Sequence, residues 1–232
     1  THANLGVYGE PTGKKLSYRV IADCACRNNQ VYDEWLVRDQ GAIVRQLGLD
    51  PQKYANKLIQ EEGGIDKCAV PFNQDTPNDV PSDGIYVAPI ISKENTGVRY
   101  AEILKQIFNN ESNAIEKNYD RAIQQEQPGG FTGHGREEVT TFWNTLISAF
   151  PDSKFTIEHI SFTEEKDQAS KAAIRWSLVG PHSGKGNFGN PSNTPVYVMG
   201  ISHAEFSPRG IKNEWVLFDE TIIWKQILMK TG

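Results

Sequence analysis

The chain of 232 residues has room for one large domain or two small ones, and its 38% hydrophobic and 23% charged residues are ordinary for a soluble globular protein, which excludes disorder as a whole. A net charge of -5 argues against a nucleic-acid surface, and no apolar run approaches the roughly 20 residues of a membrane-spanning helix. Three cysteines are too few for a disulfide framework, and no His or Cys spacing predicts a metal site. Cys24 and Cys26, in an apolar-looking strand, are expected to be buried.

The first predicted elements are two strands within residues 1–48, followed by a short helix. Asp50 and Pro51 open that helix, because aspartate caps a helix well and proline suits its first position. Residues 63–96 come next and contain four prolines among asparagines and aspartates, so we expect an irregular linker. Residues 85–91 could add a short edge strand there.

Helical spacing of apolar side chains predicts three helices in the second half, and runs rich in β-branched and aromatic residues predict four strands after them. The predicted helices are residues 100–108, 115–123 and 135–150, and the predicted strands are 155–162, 172–179, 196–206 and 211–227. This order is typical of an α+β fold in which helices pack on one face of an antiparallel sheet.

The sequence contains an internal repeat, because residues 9–48 match residues 189–228 without gaps. Eight of 40 positions are identical, where background composition gives roughly 2 or 3. The identical pairs are Gly9/Gly189, Pro11/Pro191, Ile21/Ile201, Glu34/Glu214, Trp35/Trp215, Asp39/Asp219, Ile43/Ile223 and Gln46/Gln226. We therefore predict that residues 1–62 are the C-terminal part of a first domain and residues 97–232 a complete second one. We also expect the natural protein to extend before Thr1.

Two motifs indicate a family resemblance. One is the glycine-rich connection in residues 176–191, and the other is the Trp-x-x-x-Asp strand ending in residues 210–219, which is followed by Gln226. The first copy has the same ending in residues 33–39 and 45–48. These motifs resemble the SnoaL-like polyketide cyclase branch of the nuclear transport factor 2-like superfamily. The resemblance implies a curved sheet and helices that form a conical pocket. It also implies an acid/base role for the motif aspartate, which corresponds to Asp219 and, in the partial copy, Asp39. The superfamily contains several enzyme classes and members with no known chemistry.

A three-residue turn over residues 208–210 would pair His203 with Trp215 and Met199 with Asp219, whereas a two-residue loop would move His203 and Asp219 to opposite faces. The first register places Asp219, His203, Trp215, Leu217 and Met199 on one face. If this face is the concave one, Asp219 lies among Trp215, Leu217 and Met199, where burial raises its pKa. Side chains of the other face are then available for association or for solvent: Glu214, Val216 and Phe218.

These residues suggest a cofactor-independent reaction without a metal, in which Asp219 removes a proton next to a carbonyl and starts an intramolecular aldol cyclisation. His203 and Asp39 are the further catalytic candidates. The substrate-binding candidates are Trp215, Leu217, Met199, Trp176, His182 and Tyr119. The alternatives are structural: the two aspartates accept hydrogen bonds from strand-end amides, His182 orients its loop, and the tryptophans belong to the core.

We expect the protein to be cytoplasmic, and the sequence leaves two functions open. It is either a cyclase or isomerase for a hydrophobic carbonyl-containing ligand, or a non-catalytic binding or assembly module. A buried Asp219 beside open space would favour the enzyme, and a cone filled by Trp and Phe side chains would favour the module. We expect no nucleic-acid or membrane partner, and we expect the two copies to pair within the chain or in a homodimer.

Overall fold

The computed structural model describes residues 1–69 and 95–231. The N-terminal part comprises β1 (Val20–Arg27), β2 (Gln30–Arg38), α1 (Gln40–Gln46), α2 (Pro51–Glu61) and a 3₁₀ turn (Ile65–Lys67). The C-terminal part comprises α3 (Thr96–Phe108), α4 (Ala114–Asn118), β3 (Tyr119–Gln127), a 3₁₀ turn (Pro128–Gly130), β4 (Phe131–His134), α5 (Gly135–Ala149), β5 (Lys154–Thr163), β6 (Lys171–Pro181), β7 (Pro195–Ser207), β8 (Gly210–Phe218) and α6 (Glu220–Thr231). Most of the predicted linker, including the edge strand at residues 85–91, lies outside the described residues.

The C-terminal part contains a six-stranded sheet in the order β4-β3-β8-β7-β6-β5. Its neighbours are antiparallel except β3 and β8, which run parallel, so the sheet is mixed rather than wholly antiparallel. Strands β1 and β2 form a separate antiparallel pair. The predicted α+β class is confirmed. No helix in the described residues combines the length and the apolar character needed to cross a bilayer.

The main core lies between helices α3 and α5 and one face of the six-stranded sheet. Leu104 from α3 and Leu146 from α5 are fully buried there, and Trp176 and Val216 enter the same core from β6 and β8. This face is called the helix-covered face below, and the opposite face of β5 to β8 is called the outer face.

Two predicted elements are wrong. The helix over residues 115–123 ends at Asn118, and β3 follows, because Tyr119–Gln127 joins the sheet between β4 and β8. The strand over 211–227 ends at Phe218, because α6 packs against α2 and this contact overrides the strand preference of its β-branched residues. The predicted helices near Asp50 and over 135–150 are confirmed, and so are the three strands before residue 207.

The N-terminal part covers the outer face. Val37 from β2 packs with Ile201 and Leu217, and Ile21 and Met199 lie at the edge of this cluster. In the sequence repeat, Ile21 corresponds to Ile201 and Val37 to Leu217, so equivalent side chains meet each other. Cys24 and Cys26 are exposed rather than buried, because they lie on the side of β1 that points away from this contact.

Positions 180 residues apart make the same local hydrogen bonds. The side-chain amide of Gln46 exchanges two hydrogen bonds with the Ser17 backbone at 2.7 and 2.9 Å, and Gln226 does the same with Tyr197 at 2.8 and 2.9 Å. Nδ1 of His2 and of His182 each lies 3.1 Å from a hydroxyl ten residues on, Thr12 or Ser192. That residues 1–62 are part of an incomplete domain stays a prediction.

Candidate functional site

Asp219 immediately precedes α6, with a largely buried side chain. Its Oδ1 accepts hydrogen bonds from the Thr221 backbone N–H at 2.9 Å and from the Thr221 hydroxyl at 2.7 Å. Burial raises the pKa of Asp219 to about 6, although the bonds from Thr221 act in the opposite direction. A carboxyl group in this range is suited to giving and taking protons near neutral pH.

A cavity of about 370 Å³ adjoins Asp219. Its lining includes Leu36, Arg38 and Gln40 from the N-terminal part, Tyr197 and Met199 from β7, and Ile222 from α6. Open space beside Asp219, the arrangement that would favour the enzyme, is therefore present. It lies at the junction between the N-terminal part and the sheet, not on the helix-covered face.

The pairing of β7 with β8 decides which candidates meet. The connecting loop has two residues, since Ser207 pairs with Gly210, but a bulge at Lys212, between the pairs Phe206/Ile211 and Glu205/Asn213, restores the predicted pair His203/Trp215. The predicted pair of Met199 with Asp219 is wrong because β8 ends at Phe218.

The predicted roles of the two faces are reversed. Leu217 is buried against Val37 on the outer face, and Trp215 shares that face by alternation. Val216 and Phe218, predicted to serve association, belong to the main core under the helices. Trp215, Leu217 and Met199 therefore lie on the face covered by the N-terminal part and not under the helices.

His203 and Trp215 border a different cavity, of about 610 Å³, between β1 and the outer face. Burial lowers the pKa of His203, and the negative charge of Asp23 opposes that effect. His203 borders this cavity and Asp219 borders the other one, so the structure does not bring the two residues together in one site.

Asp39 caps α1 and joins the N-terminal part to the turn at 128–130. Its Oδ1 accepts the N–H groups of Ala42 at 3.1 Å and Gly129 at 2.8 Å, and its Oδ2 accepts that of Gly130 at 3.1 Å. Because both oxygens bind backbone amides, the geometry fits the structural alternative for Asp39 and not an acid/base role.

The other substrate-binding candidates lie away from both cavities. Trp176 is in the main core and donates its indole N–H to the Ser202 hydroxyl at 2.9 Å. Tyr119 is fully buried under the helices. His182 is buried in the connection before β7, where it bonds Ser192, so its geometry fits the loop-orienting alternative.

Glu214 is the polar residue that the sequence placed wrongly. Instead of facing solvent or an interface, it is fully buried on the helix-covered face. Its carboxylate accepts hydrogen bonds from the hydroxyls of Tyr100 at 2.7 Å and Tyr119 at 2.8 Å, and from the Gln125 amide at 2.7 Å. Burial raises its pKa, and these three bonds limit the rise. The Glu-Trp pair that occurs in both copies was the signal in the sequence that pointed to Glu214, but it does not show which face of the strand is buried.

Aromatic rings pack closely on the helix-covered face. Phe108 stacks on Phe155 with ring centroids 3.9 Å apart and lies 5.6 Å from Trp176, which in turn lies 6.4 Å from Trp143 and 6.3 Å from Phe218. This packing is the arrangement expected of the non-catalytic module. Within residues 1–69 and 95–231, no three His, Cys, Asp or Glu side chains are grouped as a metal site would require.

Comparison with known proteins gives one family and several similar structures. The SnoaL-like polyketide cyclase family model matches residues 99–227. TsrD from Streptomyces laurentii is similar at 16% identity and a TM-score of 0.47, over 59% of this chain and 98% of that one. IdmH from Streptomyces antibioticus is similar at 15% identity and a TM-score of 0.46, over 57% of this chain and 99% of that one. No curated protein matches the sequence.

Proposed function

The chain belongs to the SnoaL-like polyketide cyclase family, as its sequence motifs predicted, and on this premise we propose that it performs acid–base chemistry on an apolar, carbonyl-containing small molecule beside Asp219. One observation carries the proposal. Asp219 is a largely buried carboxyl group with a pKa of about 6, and it adjoins a cavity of about 370 Å³.

In the proposed reaction, ionised Asp219 takes a proton from the carbon next to a carbonyl group. The electron pair of the broken C–H bond moves onto the carbonyl oxygen and forms an enolate. The enolate carbon then bonds to a second carbonyl carbon of the same molecule, and protonated Asp219 returns the proton to the new alkoxide. A pKa of about 6 supports both steps, because at pH 7 roughly nine in ten groups are ionised and the protonated form is only weakly stabilised.

Arg38 is the residue that could stabilise the enolate. Its side chain contributes to the lining of the Asp219 cavity, and a guanidinium stays charged at every physiological pH. A fixed positive charge near the carbonyl oxygen would lower the energy of the enolate more than that of the neutral ketone. Leu36, Met199 and Ile222 make the remaining wall largely apolar, which suits a hydrophobic substrate.

Deuterium exchange tests the proton-transfer step without knowledge of the natural substrate. The probe is 2-tetralone, an apolar bicyclic ketone, and the loss of its α-proton signals in D₂O at pH 7 is followed by NMR. The wild-type protein should accelerate the exchange. The rate with Asp219→Asn should be at least about 100-fold lower than with the wild type, although the variant should still bind the ketone. Asp50→Asn is the matched control, because Asp50 also caps a helix but is exposed. Equal exchange rates in the wild type and Asp219→Asn would contradict the proposal.

The second candidate is a non-catalytic ligand-binding or assembly module, favoured by the stacked rings on the helix-covered face. The same experiment separates the two, because binding of the ketone without any acceleration of exchange would support the module.

We further propose that residues 1–62 are the C-terminal part of an incomplete copy of the family domain, and that this copy pairs with residues 97–232 inside the chain. The contact of Ile21 and Val37 with their counterparts Ile201 and Leu217 supports this proposal. If the two copies pair within the chain, the protein needs no second chain, and light scattering should give the mass of a monomer. The mass of a dimer would count against this proposal.

A further inference from the structure

We infer that the cavity between β1 and the outer face binds a neutral, planar aromatic small molecule that carries a hydroxyl group. The ring system would lie against Trp215, and the hydroxyl group would bond to His203. The cavity has a volume of about 610 Å³, within the usual range for small-molecule sites. The inference goes beyond the proposed function, because neither Asp219 nor its cavity takes part.

The first support comes from the equivalent position in the N-terminal part. Asp23 and Trp35 pair across β1 and β2, as His203 and Trp215 pair across β7 and β8. The guanidinium carbon of Arg175 lies 4.1 Å from the centre of the Trp35 ring, and its Nε donates to Asp23 at 2.8 Å. At that position, therefore, a planar group covers the tryptophan and bonds the residue paired with it.

The second support is that the described part of the chain supplies no such group at His203 and Trp215. Among residues 1–69 and 95–231, no aromatic ring or guanidinium lies over Trp215, and no side chain or backbone group bonds the His203 ring. Both residues border the cavity instead. Ala173 pairs with His203 on the neighbouring strand and leaves room for rings because its side chain is small.

The charges around the cavity select a neutral ligand. Arg19 lies at its edge, but its guanidinium is paired with Glu126 and also bonds the Gln127 carbonyl at 2.7 Å. Lys171 and Glu205 pair across β6 and β7 at the rim and contribute opposite charges. The lining therefore contains no unbalanced charge that would favour an ionic ligand.

The chemistry of His203 selects a hydroxyl group. Burial holds its imidazole neutral near pH 7, where one ring nitrogen accepts a hydrogen bond and the other donates one. The equivalent residue of the N-terminal part is Asp23, whose negative charge attracts a cation, whereas the neutral imidazole of His203 does not. A phenolic hydroxyl group on a flat ring system can donate to the accepting nitrogen while the rings lie on the indole.

The test uses 2-naphthol with two related compounds, 2-methoxynaphthalene, which lacks the donor, and decahydro-2-naphthol, which is not planar. Isothermal titration calorimetry on the full chain should give saturable binding of 2-naphthol and at least about tenfold weaker binding of the other two. His203→Phe and Trp215→Leu should each weaken 2-naphthol binding at least about tenfold. Trp35→Leu is the matched control and should leave the affinity unchanged, because Arg175 covers that ring. Asp219→Asn should also leave it unchanged, which separates this site from the proposed catalytic one.

A measurement on the wild type keeps the inference testable if a variant fails to fold. The indole N–H signal of Trp215 in an NMR spectrum of the ¹⁵N-labelled protein should shift progressively with 2-naphthol. Absence of saturable binding, equal affinity in His203→Phe and Trp215→Leu, or a shift confined to other tryptophans would overturn the inference.

Discussion

Asp39 and Asp219 lie at equivalent positions of the two similar segments, and both precede a helix, but their carboxyl groups are bound in different ways. Asp39 uses both oxygens to accept three backbone N–H groups, two of them from the turn at 128–130. Asp219 accepts the bonds of Thr221 on one oxygen and adjoins a cavity. The same residue type at the same position thus holds two parts of the chain together in one case and faces ligand-sized space in the other.

The bonding of Asp39 predicts a large stability loss on truncation. Asp39→Ala should lower the free energy of unfolding by roughly 2–4 kcal/mol, because it removes a helix cap and leaves buried amide donors without acceptors. Asp50→Ala, at an exposed helix cap, should cost only about 1 kcal/mol. Urea unfolding at pH 7 measures both, and equal losses would show that the bonds to Gly129 and Gly130 contribute nothing.

The raised pKa of Asp219 predicts a pH-dependent stability. Because the folded-state pKa of about 6 exceeds the ordinary value of 3.8, the unfolded chain loses its proton first as the pH rises, and stability falls between about pH 4 and 6. At higher pH the charged form costs about 1–3 kcal/mol, at roughly 1.4 kcal/mol per pKa unit. Asp219→Asn should therefore stabilise the protein by this amount at pH 7.5 and have no effect near pH 4. Urea unfolding at both pH values tests this, and a constant difference would argue against the raised pKa.

Glu214 and its counterpart Glu34 form a matched pair for a third prediction. Glu214→Ala should cost roughly 3–5 kcal/mol, because the hydroxyls of Tyr100 and Tyr119 and the Gln125 amide lose their common acceptor in a buried place. Glu34 is exposed, so Glu34→Ala should change the free energy of unfolding by less than about 0.5 kcal/mol. Chemical denaturation provides the comparison, and similar values for the two variants would refute the buried network.

Gly186 and its counterpart Gly6 provide a fourth prediction. A Cβ atom at Gly186 would overlap the Thr145 carbonyl oxygen and contact Ala149, since the glycine-rich connection lies against the end of α5. Gly186→Ala should therefore lower the melting temperature by several degrees, for a cost of roughly 1–3 kcal/mol. Gly6 has nothing within 4 Å of the added atom, so Gly6→Ala should be close to neutral. Calorimetry of both variants decides, and an unchanged melting temperature for Gly186→Ala would contradict the packing.

Local sequence signals predicted much of the fold and part of the site. The caps and periodicity of the helices near Asp50 and over 135–150 were sufficient, as were the motifs that identify the family. Residues 119–123 and 220–227 were misassigned because short apolar runs fit a helix and a strand equally well. Their neighbours decided between the two, β8 and β4 for the first segment and α2 for the second.

Side-chain alternation along β8 determined that Trp215 and Leu217 share one face and that Glu214 and Val216 share the other. It could not determine which face lies under the helices, because both faces carry apolar residues and both are covered. Helices α3 and α5 cover one face and the N-terminal part covers the other. Only this packing decided that Glu214 is buried in the core, that Asp219 and His203 border two separate cavities, and that both cavities lie where the two parts of the chain meet.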